Sequence, residues 1–264
     1  MIRLLSLALI LLVFSACTTV PITGRSQLNL IPGSSMLAMS AQEYGTFLKE
    51  NKLSANPEQT ATVKRVGARI RQAVERYFAD AGLESHLADY QWEFNLVEDP
   101  QVNAWCMPGG KVVVYTGILP IAKDDAGLAV VLGHEIAHAI AEHGNERMSQ
   151  GLVSQMGGVA LSTALSTKSE ATKQLWMSVY GVGAQYGAIL PYGRLQENEA
   201  DQLGLVFMTM AGYDPNAAIS FWERMAAQKG GQAPPEFLST HPADATRIAK
   251  IKKEIPGVLE KYRK

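Results

Sequence analysis

His134-Glu135-Ile136-Ala137-His138 is the stretch that decides the fold, because it places two histidines four residues apart with a glutamate directly after the first. In an α-helix, residues four apart are separated by about 40° of rotation, so both imidazoles point to the same side. Two neutral imidazoles with this spacing can hold one tetrahedral zinc ion. The chain has only 5 histidines among 264 residues, so chance seldom produces the pattern. This rarity disfavours the alternative of two core histidines that are hydrogen-bonded to backbone carbonyls.

Glu135 stands where a general base is needed. One residue after His134, its carboxylate can reach a water on the metal without becoming a ligand. Zinc lowers the pKa of a bound water towards neutrality, and a carboxylate can then accept the proton. The motif therefore predicts zinc-dependent hydrolysis with one Zn²⁺ per chain, in which His134 and His138 bind the metal.

A catalytic zinc ion also needs a third protein ligand and an open position. Glu197 and Asp201 are four residues apart in the sequence and share one face of a predicted helix, whereas Glu199 points to the other side. We expect Glu197 to bind the metal and Asp201 to accept a hydrogen bond from a ligand histidine. Taken alone, such an acidic pair is more often a solvated helix face. Glu142 remains an alternative ligand.

The first sixteen residues have the layout of a secretory signal. Arg3 gives a short positive head, residues 4–14 are apolar, and small residues stand directly before Cys17. Small residues before a cysteine are similar to the cleavage box of a bacterial lipoprotein, in which the cysteine is acylated. We therefore predict a lipoprotein signal peptide at residues 1–16, a membrane anchor at Cys17, and a location on the periplasmic side of the outer membrane. An ordinary secretory signal and an uncleaved anchor are the alternatives.

Length and composition predict one sizeable hydrophobic core and give no support to a nucleic-acid partner. A chain of 264 residues that is 47% hydrophobic can bury one sizeable core. The net charge is −1, and no run of Lys and Arg resembles a nucleic-acid footprint. Residues 17–33 are rich in Thr, Pro, Gly and Ser and predict a tether, followed by a single domain at residues 34–264.

Helical periodicity dominates the chain, which predicts an α+β fold that is mostly helical. The predicted helices cover residues 34–50, 57–79, 126–143 and 194–211, with further helices around Phe221 and after Pro242. Two extended segments, residues 90–97 and 111–115, are separated by a stretch that ends in Pro108-Gly109-Gly110, which predicts a hairpin. Within a continuous helix, His143 would face away from His138, so it is not predicted as a ligand.

Two stretches, residues 151–167 and 177–193, contain no charged residue and approach membrane-spanning length. Gly, Ser, Thr and Gln dilute both of them, and such residues are costly in hydrocarbon if they are left unpaired. We therefore expect a packed or surface-associated pair of helices rather than two membrane spans.

These motifs resemble metallopeptidase family 48. The resemblance rests on His134-Glu135-Ile136-Ala137-His138, on Glu197-Asn198-Glu199-Ala200-Asp201, and on Leu238-Ser239-Thr240-His241-Pro242 with Arg247. The family includes HtpX-type proteases, CAAX prenyl proteases and periplasmic protease-chaperones, and this chain resembles a lipoprotein member. The resemblance implies a zincin-like (gluzincin) metalloprotease domain with a small β-sheet that borders the cleft.

The resemblance also implies roles for individual residues. His134, His138 and Glu197 would be the zinc ligands, and Glu135 would be the general base. Asp201 would support a ligand, and Arg194 would be a structural or transition-state partner nearby. His241 would bind the metal in a resting state, although a plain loop histidine is an equal alternative. The segment that contains Asn103, Ala104, Gly109 and Gly110 is similar to the edge strand of the family's cleft.

The function that we expect is a zinc metalloendopeptidase of the bacterial cell envelope. A peptide bound along residues 103–115 by strand addition would be recognised mainly through its backbone, which favours unfolded or misassembled envelope proteins as substrates and partners. The main alternative is an envelope chaperone or assembly factor with little proteolysis. A zinc store is disfavoured, because ligands on packed helices suit retention and catalysis.

Overall fold

The structure, a computed structural model, describes residues 17–21, 23–185, 189–228, 236–242 and 245–263. The predicted signal peptide at residues 1–16 lies outside the described residues. The chain divides into two compact units. Unit 1 comprises Met1–Met36 and Glu142–Gln196, and unit 2 comprises Leu37–Ala141 and Glu197–Lys264. The predicted single domain over residues 34–264 stays a prediction.

The described elements confirm an α+β fold that is mostly helical. In chain order they are β1 (Cys17–Thr19), β2 (Ser26–Leu28), α1 (Gly33–Glu50), α2 (Pro57–Asp80), β3 (Glu93–Val97), β4 (Ala104–Met107), β5 (Lys111–Tyr115), α3 (Leu119–Ala122), α4 (Asp125–Ile140), α5 (His143–Ala164), α6 (Glu170–Ala184), α7 (Leu190–Met210), α8 (Ala217–Ala227), α9 (Glu236–Thr240) and α10 (Ala245–Tyr262). Short 3₁₀ helices lie at Glu84–Leu87 and Thr116–Ile118.

A three-stranded sheet in unit 2 has the order β3-β5-β4. β3 pairs with β5 in parallel, and β4 pairs with β5 antiparallel. The predicted hairpin between residues 90–97 and 111–115 is therefore wrong, because β4 lies between them in sequence and forms the hairpin itself. The tight turn from β4 to β5 uses Gly109 and Gly110, whose φ angles of 84° and 81° favour glycine.

The core of unit 2 forms where α2 and α4 pack on the sheet. Asn56 caps α2 by accepting hydrogen bonds from the backbone N–H groups of Glu58 and Gln59, as expected for a helix with proline at its first position. The apolar side chains predicted at helical spacing in α2 are all buried. They are Val63, Val66, Ile70 and Val74.

The helix that carries the histidine motif, α4, is buried over nearly its whole length. Asp124 caps its N-terminus by accepting a hydrogen bond from the backbone N–H of Gly127. The helix ends at Ile140 rather than at residue 143, because Glu142 takes a left-handed conformation with φ of 55°. His143 therefore starts α5, where it is fully buried.

Two glycines let α4 and α7 approach closely within unit 2. A Cβ atom added at Gly133 would lie 3.0 Å from the carbonyl oxygen of Gly204, and one added at Gly204 would lie 3.0 Å from the backbone nitrogen of His134. Any larger side chain at either position would push the two helices apart.

Unit 1 contains a small two-stranded sheet and a helical pair. β1 and β2 are antiparallel, with Cys17 opposite Leu28. Arg25 forms a two-pronged ion pair with the buried Glu146, with both N–O distances at 2.8 Å. Residues 17–33 are predicted to be a tether, and this stays a prediction. Their described part includes the β1–β2 pair and the ion pair of Arg25 with Glu146, both within unit 1.

α5 and α6 in unit 1 pack against each other. The hydroxyl of Tyr180 donates a hydrogen bond to the carbonyl oxygen of Ser154, and Gly157 makes room for the tyrosine ring. The expectation of a packed helical pair agrees with this contact. Over the described residues, no helix combines the length and the apolar character needed to cross a membrane.

Gly204→Ala tests the close approach of α4 and α7. We expect the added methyl group to destabilise the protein by about 1–3 kcal/mol, because backbone atoms on both helices would have to move. Gly257→Ala is the matched control, since Gly257 lies in α10 with no atom within 4 Å of its added Cβ. The control should change stability by about 1 kcal/mol or less, in the stabilising direction. Equal melting temperatures for the two variants would contradict the close approach.

Candidate active site

The two histidines of α4 project from adjacent turns to one side of the helix. His134 and His138 are both buried, and their Nε2 atoms lie 3.1 Å apart. The rings are nearly perpendicular, at 84°. The spacing of four residues therefore has the effect that the sequence predicted, because it brings two ring nitrogens to one point.

Glu197 reaches the same point from α7. One carboxylate oxygen lies 3.3 Å from Nε2 of His134, and the other lies 3.2 Å from Nε2 of His138. Asp201, one turn later on the same face of α7, lies 3.1 Å from Nδ1 of His134. The predicted pairing of the two carboxylates with the histidine helix is therefore observed.

His241 supplies a fourth donor atom. Its Nδ1 lies 3.1 Å from Nε2 of His134 and 2.8 Å from a carboxylate oxygen of Glu197. Its backbone N–H donates to the carbonyl of Phe237, and its ring stands over the Phe237 ring at a centroid distance of 4.6 Å. These contacts fix the imidazole towards the cluster rather than towards solvent.

The four donors fit a tetrahedral metal ion. With metal–ligand bonds of about 2.0–2.1 Å, the donors of a tetrahedral site lie about 3.3–3.4 Å from one another. Five separations between donor atoms of these residues run from 2.8 to 3.3 Å. All four donor atoms fall within 4.8 Å of one another, and three imidazoles with one carboxylate are the ligand types that zinc prefers. The cluster is therefore compatible with a metal ion.

Glu135 lies beside the donor cluster without joining it. Its side chain is buried, and one carboxylate oxygen lies 3.6 Å from Nε2 of His241. The charge of Glu135 also contributes to raising the pKa of the Cys106 thiol on β4, although burial is the larger cause. The carboxylate therefore stands between the histidine cluster and the sheet, where a water or a substrate carbonyl near the metal would be within reach.

Arg247 of α10 holds Asp201 in place. Its guanidinium donates two hydrogen bonds of 2.7 Å to the carboxylate oxygens of Asp201, and it stacks on Trp222 at 3.5 Å from the ring centre. Asp201 in turn contacts Nδ1 of His134. A hydrogen on Nδ1 would leave the lone pair of Nε2 directed at the donor cluster.

Burial and hydrogen bonds shift the pKa values of these groups in opposite directions. Burial alone would lower the pKa of His134, but hydrogen bonds to Asp201 and Glu197 outweigh it and raise the pKa to about 9. Burial would raise the pKa of Glu197 and of Asp201. Hydrogen bonds from the histidines hold the pKa of Glu197 below its usual range, and the charge of Arg247 does the same for Asp201. Both carboxylates are therefore ionised in the metal-free site.

The predicted edge segment forms β4, which packs against α4. β4 pairs with β5 on one side, and within the described sheet it stands at the end of the strand order. Asn103 precedes the strand, and its carbonyl accepts a hydrogen bond from the backbone N–H of Tyr115. Ala104 is buried, and Gly109 and Gly110 form the turn. These residues lie at the sheet edge where the sequence placed them.

Other candidate residues lie elsewhere in the fold. Arg194 is exposed in the first turns of α7, and the arginine that contacts Asp201 is Arg247. Glu142 accepts a hydrogen bond from Asn29 in unit 1. Sequence reasoning gave Arg247 no role beyond the resemblance. The signal that could have indicated its role is its position near the start of the last helix, six residues after His241.

Arg247→Lys should destabilise the protein by about 1–3 kcal/mol, because lysine keeps the charge but loses the two-pronged contact with Asp201 and the stacking on Trp222. Arg71→Lys is the control, since Arg71 makes an exposed ion pair with Glu75 that contributes little. Thermal unfolding measures both variants.

A double-mutant cycle with Asp201→Asn isolates the pairwise contribution. We expect the two substitutions to be strongly non-additive. Additive effects of Arg247→Lys and Asp201→Asn would show that the guanidinium does not act through this carboxylate.

Comparison with known proteins agrees with this geometry. The pattern described as peptidase family M48 matches residues 64–255. The mitochondrial metalloendopeptidase OMA1 of Schizosaccharomyces pombe is 34% identical over 92% of this chain and 68% of its own length. OMA1 of Saccharomyces cerevisiae is 32% identical over 92% of this chain and 70% of its own length. The beta-barrel assembly-enhancing protease of Yersinia pestis is 32% identical, over 60% of this chain and 33% of its own length.

The family match covers well over half of the chain and includes α4, α7 and the first part of α10. Relatives that share most of its length carry the name metalloendopeptidase. The chain therefore belongs to peptidase family M48, with a zincin-like fold and the activity of a metalloendopeptidase.

Proposed function

We propose that the chain is a zinc-dependent endopeptidase of the bacterial cell envelope that cleaves unfolded or misassembled proteins. The observation that carries the proposal is the convergence of His134, His138 and Glu197 from two separate helices, with Glu135 beside them. One Zn²⁺ per chain would be held by these three ligands. Arg247 and Asp201 would fix the orientation of His134 through its Nδ1 atom.

When bound, zinc would supply an activated water and polarise the scissile carbonyl. Glu135 would take the proton from that water as general base and then donate it to the leaving amine as general acid. Its burial beside the sheet keeps bulk water away and leaves the carboxylate close to the substrate. Asp201 and Arg247 would hold the ring of His134 in its orientation and would not transfer protons.

His241 lies beside the other three donors, which supports the proposal that it would bind the metal in a resting state. A catalytic site needs one position for water or substrate, so the imidazole of His241 would have to move away from Glu197 before turnover.

Among the described strands, β4 pairs only with β5, so its other edge could take a substrate. A peptide that adds as a further strand beside Ala104–Met107 would be recognised by its backbone, so accessible extended chains would be preferred over folded ones. The strand packs on α4, so the bound peptide would pass close to Glu135. Substrate choice would thus depend on unfolding more than on side-chain identity.

The proposed location rests on the N-terminal sequence, with acylation at Cys17 and attachment to the outer membrane. The relatives support two settings, because some are named mitochondrial and others are named beta-barrel assembly-enhancing proteases of bacteria. The lipoprotein-like layout before Cys17 favours the bacterial setting for this chain.

Glu135→Gln tests the proposed chemistry. We expect casein cleavage to fall by about 10²–10⁴-fold, because the amide cannot accept the proton, while zinc content stays at one ion per chain. Glu223→Gln is the control, since Glu223 is exposed on α8 and lies outside the site. Should wild type and Glu135→Gln both fail to cleave and protect unfolded clients equally, the chain would be a chaperone rather than a protease.

Acylation at Cys17 is tested by mass spectrometry of the chain after expression in a bacterium that processes lipoproteins. The expected mature N-terminus is an acylated Cys17, and Cys17→Ala should leave residues 1–16 attached. A mature chain without acyl groups, or one cut elsewhere, would contradict the anchor and leave the peptidase activity unaffected.

A further inference from the structure

Exposed apolar side chains are concentrated in unit 1. Of the 16 large hydrophobic side chains that are exposed among the described residues, all except Met39 and Leu53 belong to this unit. Most of them lie on α5 and α6. They include Leu152, Val153, Met156, Val159, Leu175, Trp176, Val179 and Val182, each exposed by 42–68%.

A surface of this kind marks an interaction site. Scattered exposed hydrophobic residues are normal, whereas a contiguous apolar area without charge is rare on a protein that stands alone in water. Residues 151–167 and 177–193 contain no charged side chain, so no charge in them would have to be desolvated when an apolar partner covers this surface.

Unit 1 also contains an apolar groove of about 690 Å³. β2, α5, α6 and the first residues of α7 line it, and its apolar lining includes Leu28, Val153, Tyr180, Ile189 and Tyr192. Its volume lies within the range of about 300–1,000 Å³ that is usual for sites that take apolar ligands.

The one acid in the groove lining is already neutralised. Glu146 is buried and accepts hydrogen bonds from Arg25 and from the side-chain amide of Gln196. A charged ligand would therefore find no unsatisfied partner in Glu146. The groove is suited to an apolar occupant.

The N-terminal sequence indicates what that occupant is. β1 begins at Cys17, which pairs in register with Leu28 of the groove lining. The 16 residues before it contain the apolar run at 4–14. Whether this run remains as an anchor or Cys17 carries acyl chains, the attachment point is in β1 itself, with no linker. A bilayer held at this point lies beside the groove.

We propose that unit 1 docks on a phospholipid bilayer through this groove, with lipid acyl chains against Leu28, Val153 and Ile189. Tyr192, which is exposed, suits such a position, because tyrosine has an apolar ring and a polar end and is favoured at membrane–water interfaces. The docking rests on the attachment at Cys17 in the proposed function. It adds a second, non-covalent contact that fixes the orientation of unit 1 at the membrane.

The test uses the chain in vesicles of phosphatidylethanolamine and phosphatidylglycerol, with Cys106→Ala and with acylation of Cys17 verified by mass spectrometry, so that only an introduced cysteine reacts. A polarity-sensitive fluorophore is attached in separate variants at Val153→Cys, Tyr192→Cys, Thr18→Cys and Lys64→Cys. Lys64 is exposed on α2 of unit 2 and serves as the control. Lipids that carry a nitroxide on the acyl chain report which labels reach the hydrocarbon boundary.

We expect the labels at 153 and 192 to be quenched about threefold or more relative to the label at Lys64, because a docked apolar face lies ~5–10 Å below the headgroups. Quenching at Thr18 with none at 153 and 192 would leave the attachment intact and overturn the docking. The absence of quenching at all four positions would overturn both the attachment at Cys17 and the docking of unit 1. Shielding at 153 that depends on protein concentration and not on lipid would identify a second copy as the occupant and also overturn the docking.

A charge in the groove gives an independent measurement. The double substitution Val153→Asp and Ile189→Asp should abolish the quenching of the label at position 192, because moving two carboxylates into the acyl region costs free energy. Met39→Asp, at an exposed apolar residue of unit 2, should leave that quenching unchanged. Casein cleavage by each variant verifies that it has folded, and unchanged quenching in the double variant would contradict the docking.

Discussion

The site depends on the packing of α4 against α7 through two glycines. Gly133 and Gly204 allow the backbones of these helices to touch, so that a carboxylate on one helix comes within about 3.3 Å of two imidazoles on the other. Neither helix could form the donor set alone, because α4 supplies two nitrogens and α7 the carboxylate. A metal ion held there would also link two segments that are about 60 residues apart in sequence, so metal binding would stabilise the fold.

Buried charge around the donor set is balanced by a chain of partners. Asp201 is fully buried, yet the charge of Arg247 keeps its pKa low. Removing one member of such a pair usually costs about 3–5 kcal/mol, because the other charge is left without compensation in the interior. Trp222 covers the guanidinium from one side. The orientation of His134 thus depends on α10, far from the histidine motif in sequence.

The sequence predicted the chemistry of the site better than the arrangement around it. Local rules fixed the spacing of His134 and His138 and the shared face of Glu197 and Asp201, because helical geometry alone determines both. The end of α4 was placed three residues too late, since the left-handed Glu142 has no sequence signal as strong as glycine would give. The parallel pairing of β3 with β5 and the contact of Arg247 with Asp201 join residues that are distant in sequence, which periodicity does not reveal.

The most direct test is a crystal structure of the zinc-loaded protein with anomalous diffraction at the zinc edge. The account predicts one anomalous peak, bound by Nε2 of His134, by Nε2 of His138 and by a carboxylate oxygen of Glu197, with Glu135 close by and not bound. Zinc content in solution should fall to near zero in Glu197→Ala. A zinc ion without Glu197 among its ligands, or full zinc occupancy and turnover in Glu197→Ala, would contradict it.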